Sequence, residues 1–374
     1  MAEKDQRWVS LDVLRGLAVL PVLLLHASEV MVAMHGMGNA LQRSWLHVLS
    51  EFDAGRFGVA LFFIVSGFVV PFSLPLGGGA RVGTTLAGFA LRRAARLYPA
   101  YWVSILLSVV CIKLYHDSIP LAEYNWHLPA SNVLMLQRFV GWPDLEGIYW
   151  TLQIELVFYV LCAGLFALGR LHGSRVPAWL VPVCVIAWWH WKTTLHPVVA
   201  ETLRHLPLMF MGVLLRRVVD GQDRKTDRVV LVAGALFYCV GLPFSLMYGA
   251  LLSGQIEGPL RAAFPFAGAL VVFACGVFVL PLRTRWLAWV GRISYSVYLV
   301  HPAVMYGVAK VYESRWGSGH GAMTALFWTI GLTLAASAAL HQVVEKPGIR
   351  VGSRLVKRWF APQLAGARRA PAAG

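Results

Sequence analysis

Long apolar runs alternate with short polar segments along the whole 374-residue chain. A helix needs about 20 apolar residues to cross the roughly 30 Å hydrocarbon core of a bilayer. The runs end where proline, glycine and charged residues cluster, which predicts an all-α integral membrane protein with about ten transmembrane helices. The predicted spans cover about 10–33, 56–75, 97–116, 147–169, 177–191, 203–219, 229–249, 262–281, 289–311 and 321–343.

The charges between these runs predict how the chain is oriented. With the N-terminus in the cytoplasm, the segments on that side contain 23 of the 33 lysine and arginine residues, and nine of the 18 acidic residues fall on the other side. Cytoplasmic loops of membrane proteins carry such an excess of lysine and arginine. We therefore expect both termini in the cytoplasm, a membrane domain over residues 1–350 and a basic, disordered cytoplasmic tail over residues 351–374.

The composition excludes a water-soluble protein of this length. Hydrophobic residues make up 58% of the chain, charged residues only 14%, and the mean hydropathy is +0.62. In a soluble domain, a net charge of +15 would suggest binding to nucleic acid. Here the excess of lysine and arginine is explained by the orientation of the chain in the membrane, so no nucleic-acid partner is expected. The five cysteines lie inside apolar runs without metal-ligand spacing, so neither a disulfide framework nor a metal site is expected.

Ionisable residues within the first predicted span are candidates for chemistry. A charge at that depth costs about 2.5 to 3.5 kcal/mol on insertion scales and is retained mostly for function. Asp12 and Arg15 are three residues apart and can pair. His26 follows Arg15 by eleven residues, which is three helical turns and about 16 Å, so the two side chains share one face. Pro21 lies between them and makes this alignment approximate.

The fourth predicted span contains a single acid, Glu155, within YWTLQIELVFYV. Such a carboxyl group must be protonated, paired or exposed to a polar cavity. Pairing with a histidine or an arginine is the simplest solution, and a purely structural role in helix packing is the alternative.

In the ninth span, Ser294, Tyr298 and His301 recur at helical spacing in GRISYSVYLVHP and form a polar stripe. Hydrogen bonding between helices explains this stripe nearly as well as catalysis does.

An arginine pair lies between the second and third spans, in FALRRAARLYPAYW. Arg93 and Arg96 present two guanidinium groups side by side, which suits phosphate, although the orientation of the chain alone would also place arginines here. In the preceding span, Ser66 and Gly67 interrupt an apolar face and allow close helix packing or leave room for a slender ligand.

Five segments resemble, in the same order, signature blocks of the membrane-bound acyltransferase 3 family. The first, LDVLRGLAVLPVLLLH, is similar to the family's first helix, with an arginine and a histidine separated by ten residues. The others are GVALFFIVSGF, RRAARLYPAYW, YWTLQIELVFY and ISYSVYLVHP, so the resemblance extends from Leu11 to Glu345. Members of this family transfer acyl groups, commonly acetyl, from cytoplasmic acyl-coenzyme A to hydroxyl groups of cell-surface glycans, or in some branches to lipids, macrolides or other small molecules.

The resemblance implies that His26 is the family's essential histidine, Arg15 its motif arginine, and Arg93 and Arg96 the arginine pair on the donor side. It implies a multi-pass enzyme of the bacterial inner membrane with acyl-coenzyme A, by default acetyl-coenzyme A, as co-substrate and no bound cofactor. The expected acceptor is a hydroxyl of a cell-surface or exported glycan.

The expected chemistry follows from the donor. A thioester is already reactive, so the enzyme has mainly to activate an alcohol, and histidine suits this because its unperturbed pKa is about 6.5. We expect His26 to act as general base and Glu155 to orient its imidazole or to stabilise the charged form of the imidazole. Ser66 would lie beside the donor passage, with Asp12, Tyr298 and His301 in supporting roles.

Two alternatives stay open at the level of sequence. A proton-coupled transporter or flippase could use Arg15, His26 and Glu155 as a proton relay, although no internal repeat is evident. The same chemistry could also act on a macrolide, a lipid or another small molecule. Trp126 and Trp142 in the longest predicted outer loop suit sugar stacking and membrane-interface anchoring equally well.

Overall fold

The computed structural model describes residues 2–35, 44, 47–49, 52–75, 82–115, 127–245, 247, 264–279, 282–316 and 322–367. Within these ranges all regular structure is helical, which confirms the predicted all-α class. The helices are α1 (Ala2–His35), α2 (Ala54–Val69), α3 (Val82–Tyr115), α4 (His127–Asn132), α5 (Trp150–Ala167), α6 (Val176–Trp191), α7 (Pro197–Val219), α8 (Lys225–Leu236), α9 (Phe264–Ala274), α10 (Arg285–Arg292), α11 (Ser294–Trp316), α12 (Ala322–Leu340) and α13 (Lys346–Ala367). Helices α8, α9 and α12 continue into π turns at Phe237–Gly241, Cys275–Val279 and His341–Glu345.

Seven segments of the described chain are long and apolar enough to cross a membrane. They lie at Val9–Val32, Ala54–Ser73, Val82–Leu114, Trp150–Ala167, Pro197–Val219, Lys225–Ser245 and Met323–Phe360. Val176–Trp191 and Phe264–Val279 are shorter apolar helices, and α11 is as long as α7, but the serines, tyrosines and His301 in it reduce its hydropathy. The number of ten spans and the cytoplasmic position of the termini therefore stay predictions.

Close contacts through glycine hold α1, α2 and α7 together. A Cβ atom built on Gly58 of α2 would lie 2.2 Å from the carbonyl oxygen of Ala18 on α1. One built on Gly67 would lie 1.8 Å from the carbonyl oxygen of Met209 on α7. Only glycine permits such distances, so the backbones of these helices are in direct contact, as expected of small residues between membrane helices.

The C-terminal segment corrects one expectation. Residues 351–367, expected to be disordered, lie in α13, while residues 368–374 lie outside the described range. Gly348, Gly352 and Val356 recur every four residues and form one face, which packs on Ala95 and Gly88 of α3. The arginines and lysines occupy the other faces, so this basic segment is an amphipathic helix. The chain also stays helical through Glu345 and Lys346, between α12 and α13.

We expect that replacing Gly67 with any larger residue, even alanine, destabilises the protein. In Gly67→Ala the added methyl group would overlap the Met209 carbonyl, which should lower the melting temperature of the detergent-solubilised protein by several degrees. Gly164→Ala is the matched control, because nothing lies within 4 Å of its added methyl group, and alanine is favoured over glycine inside a helix by about 1 kcal/mol. Equal melting temperatures for the two variants would contradict the proposed backbone contact.

Candidate active site

A pocket of about 770 Å³ opens between α1, α2, α3, α5 and α11. It brings together six residues for which a role in the site was predicted, from four separate predicted spans and one loop. Those six are Arg15, Ser66, Arg93, Arg96, Glu155 and Tyr298. The other lining residues are Val59, Phe62, Phe63, Val69, Val70, Leu97, Thr151, Leu152, Tyr159, Ser294 and Tyr295.

Three guanidinium groups share this pocket. Arg15 comes from α1, where it pairs with Asp12 at 3.2 Å as predicted, and Arg93 and Arg96 come from α3. Arg93 donates to Ser73 Oγ at 3.1 Å and lies over the rings of Phe89 and Tyr159. Glu155 is the one acidic residue among those lining the pocket. The surplus of positive charge, presented by planar donors, suits a phosphate group.

Glu155 is bound by hydroxyl groups. Ser66 Oγ donates to Glu155 Oε1 at 3.3 Å, and the hydroxyl of Tyr159, one turn along α5, donates to the same oxygen at 2.6 Å. The expectation that Glu155 pairs with His26 and orients it is therefore wrong, since the imidazole has a different neighbour. Helical spacing shows which face of α5 carries Glu155, but it does not show which helix that face contacts.

His26 pairs with His301 across α1 and α11. Its Nδ1 atom lies 3.0 Å from His301 Nε2, and the two ring planes are 21° apart. His301 is 1% exposed, whereas His26 is half-buried. The first span and the ninth thus contribute one histidine each to a single hydrogen-bonded pair.

The local sequence explains how His301 is held. Pro302 has no N–H group, so the carbonyl of Tyr298, four residues before it, lacks its usual helical donor. His301 Nδ1 lies 2.8 Å from that carbonyl oxygen and 3.2 Å from the carbonyl oxygen of Val297. Because a carbonyl can only accept, His301 carries its proton on Nδ1.

This arrangement determines the tautomer of His26 in the neutral pair. His301 Nε2 is left with a lone pair, so His26 Nδ1 donates to it, and the lone pair of His26 lies on Nε2. A histidine held in this way can accept a proton at one defined atom. Its neighbour then accepts a hydrogen bond from the resulting imidazolium.

The pocket extends from the arginines toward this histidine pair. On α2 its lining residues run from Val70 back to Val59, about 16 Å of helix, and Gly55 near His26 is one turn further. On α11 the lining residue Tyr298 is one turn before His301, and its hydroxyl is anchored 2.8 Å from Thr151 Oγ1. The predicted common face of Arg15 and His26 is therefore the face of α1 that meets α2 and α11.

The chain matches the model of a family described as "Acyltransferase domain" over residues 8–341. This chain belongs to that acyltransferase family. It is 25% identical to Acyltransferase MdmB of Streptomyces mycarofaciens, over 95% of both chains, and 25% identical to Nodulation protein 10 of Rhizobium leguminosarum bv. viciae, over 93% of this chain and 95% of that one. It is also 25% identical to a protein named as an O-acetyltransferase in Staphylococcus aureus (strain COL), over 96% of this chain and 61% of the longer relative. No solved structure matches the chain.

Family membership makes this acyltransferase an enzyme that transfers acyl groups, which favours catalysis over the transporter alternative. The pocket and the histidine pair lie within the matched residues. Two residues near them were not predicted as site residues, namely Tyr295, whose hydroxyl donates to the carbonyl of Leu97 at 2.8 Å, and Asp53, which precedes α2. Of the two tryptophans considered for sugar stacking, Trp142 is 42% exposed and stacks with His127, and Trp126 lies outside the described residues.

The tautomer of His26 is directly measurable. In the histidine-labelled protein, ¹⁵N NMR at a pH where the pair is neutral should give a protonated Nδ1 and an unprotonated Nε2 for the resonances that disappear in His26→Ala. Pro302→Ala restores a backbone donor for the Tyr298 carbonyl, so it should weaken the hold on His301 and mix the tautomers of His26. A protonated Nε2 in the neutral wild-type protein would contradict the assignment.

Proposed function

We propose that this enzyme is an O-acyltransferase, with acetyl as the group transferred, that acts on hydroxyls of a cell-surface or exported glycan. The donor is cytoplasmic acyl-coenzyme A, used as a co-substrate, and His26 is the general base. The observation that carries the proposal is one pocket that has three arginines at one end and is lined at the other by Tyr298, one helical turn before His301 of the histidine pair. A relative named as an O-acetyltransferase supports acetyl as the acyl group.

The arginine end would bind the phosphates of the donor. Arg93 and Arg96, together with Arg15, offer several N–H donors in fixed planes, and phosphates accept such bonds with full negative charge. The pantetheine arm would then extend past Ser66 toward His26, along the apolar and aromatic lining of α2. This path places the thioester carbonyl near the histidine pair and keeps water away from it.

The reaction would proceed in two proton movements. His26 Nε2 takes the proton of the acceptor hydroxyl while its oxygen forms a bond to the thioester carbonyl carbon, and the resulting imidazolium keeps its hydrogen bond from Nδ1 to His301. The carbon–sulfur bond then breaks, and the thiolate takes the proton from Nε2. His301 acts here as a positioning residue, the role that was expected of Glu155.

The same proposal includes the orientation in the membrane. We propose ten spans in the bacterial inner membrane with both termini in the cytoplasm, because the excess of lysine and arginine alternates along the chain in that sense. The arginine end of the pocket then opens toward the cytoplasm, where acyl-coenzyme A is made, and the histidine pair lies nearer the opposite side. The acceptor would reach His26 from outside.

Replacing His26 with alanine tests whether it is the general base. Purified His26→Ala should transfer acetyl from acetyl-coenzyme A to acceptor at least about a hundredfold more slowly than wild type, because general base catalysis contributes roughly 10²–10⁴. His196→Ala is the matched control, since His196 is exposed at the start of α7, and it should retain wild-type turnover. Unchanged turnover in His26→Ala would remove His26 from the mechanism.

The donor site has its own test. Arg96→Ala should weaken coenzyme A binding, measured by calorimetry, by about tenfold or more, since hydrogen bonds to charged groups contribute roughly 1.5–3 kcal/mol. Arg228→Ala removes an arginine that is 71% exposed and far along the chain, on α8, and should leave the dissociation constant unchanged. Equal weakening in both variants would argue for a general charge effect and against phosphate contact in the pocket.

A further inference from the structure

The lone pair of His26 lies close to Gly55, near the start of α2. A Cβ atom built on Gly55 would lie 3.8 Å from His26 Nε2 and 3.7 Å from Asp53 Oδ1. The hydrogen atom on Gly55 therefore leaves a gap of about the size of one methyl group, which is bordered by both polar atoms and by Leu25. The gap lies on the side of His26 opposite to the atom that bonds His301, because Nε2 and Nδ1 are on different edges of the ring.

Asp53 is held firmly at the edge of this gap. Its Oδ1 atom accepts the backbone N–H of Arg56 at 2.9 Å and so caps α2, and its Oδ2 atom lies 3.0 Å from Arg56 Nη1. The backbone of Asp53 is left-handed, with φ of 45°, which is uncommon outside glycine and is often kept at functional sites. A carboxylate has about four acceptor positions, so Oδ1 can still accept from a ligand, and the side chain is 21% exposed.

We propose that the acceptor binds at this gap, against the partly exposed side chains of His26 and Asp53, through two neighbouring hydroxyl groups. One hydroxyl, the reacting one, donates to His26 Nε2, and the adjacent hydroxyl donates to Asp53 Oδ1. The two protein atoms accept but do not donate, so they select a substrate that offers two donors side by side. The geometry thus points to a vicinal diol of the kind found on sugar rings, and Asp53 is the residue that binds the second hydroxyl.

This inference rests on the proposed function and specifies its acceptor. The proton of the first hydroxyl moves to His26 Nε2, its oxygen bonds to the acyl carbon of the thioester, and the carbon–sulfur bond breaks to release a thiolate that receives that proton. The second hydroxyl keeps its proton and remains bound to Asp53. The product is a monoester of the diol.

The test compares two acceptors that differ by one hydroxyl group. With acetyl-coenzyme A as donor, the wild-type enzyme should have a kcat/KM for trans-1,2-cyclohexanediol at least about tenfold above that for cyclohexanol, as expected for a hydrogen bond to a carboxylate. In Asp53→Asn this preference should fall severalfold, because the neutral amide oxygen of asparagine accepts a weaker hydrogen bond than a carboxylate does. Asparagine still caps a helix and tolerates a left-handed backbone, so the variant should fold.

Gly164→Ala, on α5 with nothing within 4 Å of the added methyl group, is the control and should keep the wild-type ratio. A wild-type ratio in Asp53→Asn would overturn the assignment of Asp53 and leave the proposed function standing. Transfer to neither alcohol by the wild-type enzyme would overturn this inference, because a vicinal diol would then not be sufficient for recognition, while the proposed function is tested separately by His26→Ala.

A second variant fills the gap without altering charge. Gly55→Ala places a methyl group in van der Waals contact with His26 Nε2, so the KM for the diol should rise about tenfold or more relative to Gly164→Ala. The added methyl group also lies 3.3 Å from Leu25 Cδ2, a flexible side-chain atom that can move by a few tenths of an ångström. An unchanged KM for the diol would place acceptor binding elsewhere.

Discussion

The hydrogen bond between His26 and His301 is the interaction on which the arrangement of the site depends. Neither ring is free to turn, because His301 is bound through Nδ1 to backbone carbonyls of its own helix and through Nε2 to His26. In a bilayer such polar groups have no water to replace a lost partner, so a partly satisfied pair would be costly. The pair therefore defines both the rotation of α1 against α11 and the atom that can accept a proton.

The charged side chains of the site lie in the pocket, apart from the histidine pair. Arg15, Arg93 and Arg96 are drawn from two helices into one pocket, where Glu155 supplies a single opposite charge and is itself bound by hydroxyls. The helix α13 packs on the side of α3 next to this arginine segment, with Gly352 against Ala95. A basic C-terminal helix thus supports the backbone that presents the arginines, and it does so through small residues instead of charges.

Much of this could be predicted from the sequence, because hydropathy and helical spacing are local properties. They are sufficient to predict the all-α class and the common face of Arg15 and His26, whereas the arginine pair, expected in a loop, lies within α3. They do not determine which helices meet, and so the partner of His26 was expected to be Glu155 and is His301. For the same reason, the position of Asp53 near His26 could not be predicted. The two residues are distant along the chain and are brought together only by the packing of α1 on α2.

The close packing of α1 on α2 also determines what the histidine can reach. Gly58 brings the α2 backbone against Ala18, and one turn earlier Gly55 leaves the gap beside His26 Nε2. The same helix carries Ser66 into the pocket and, through Asp53, presents a carboxylate at its other end. A shift of α2 along α1 would therefore move Ser66 and Asp53 together, and with them one side of the proposed donor passage and one side of the proposed acceptor site.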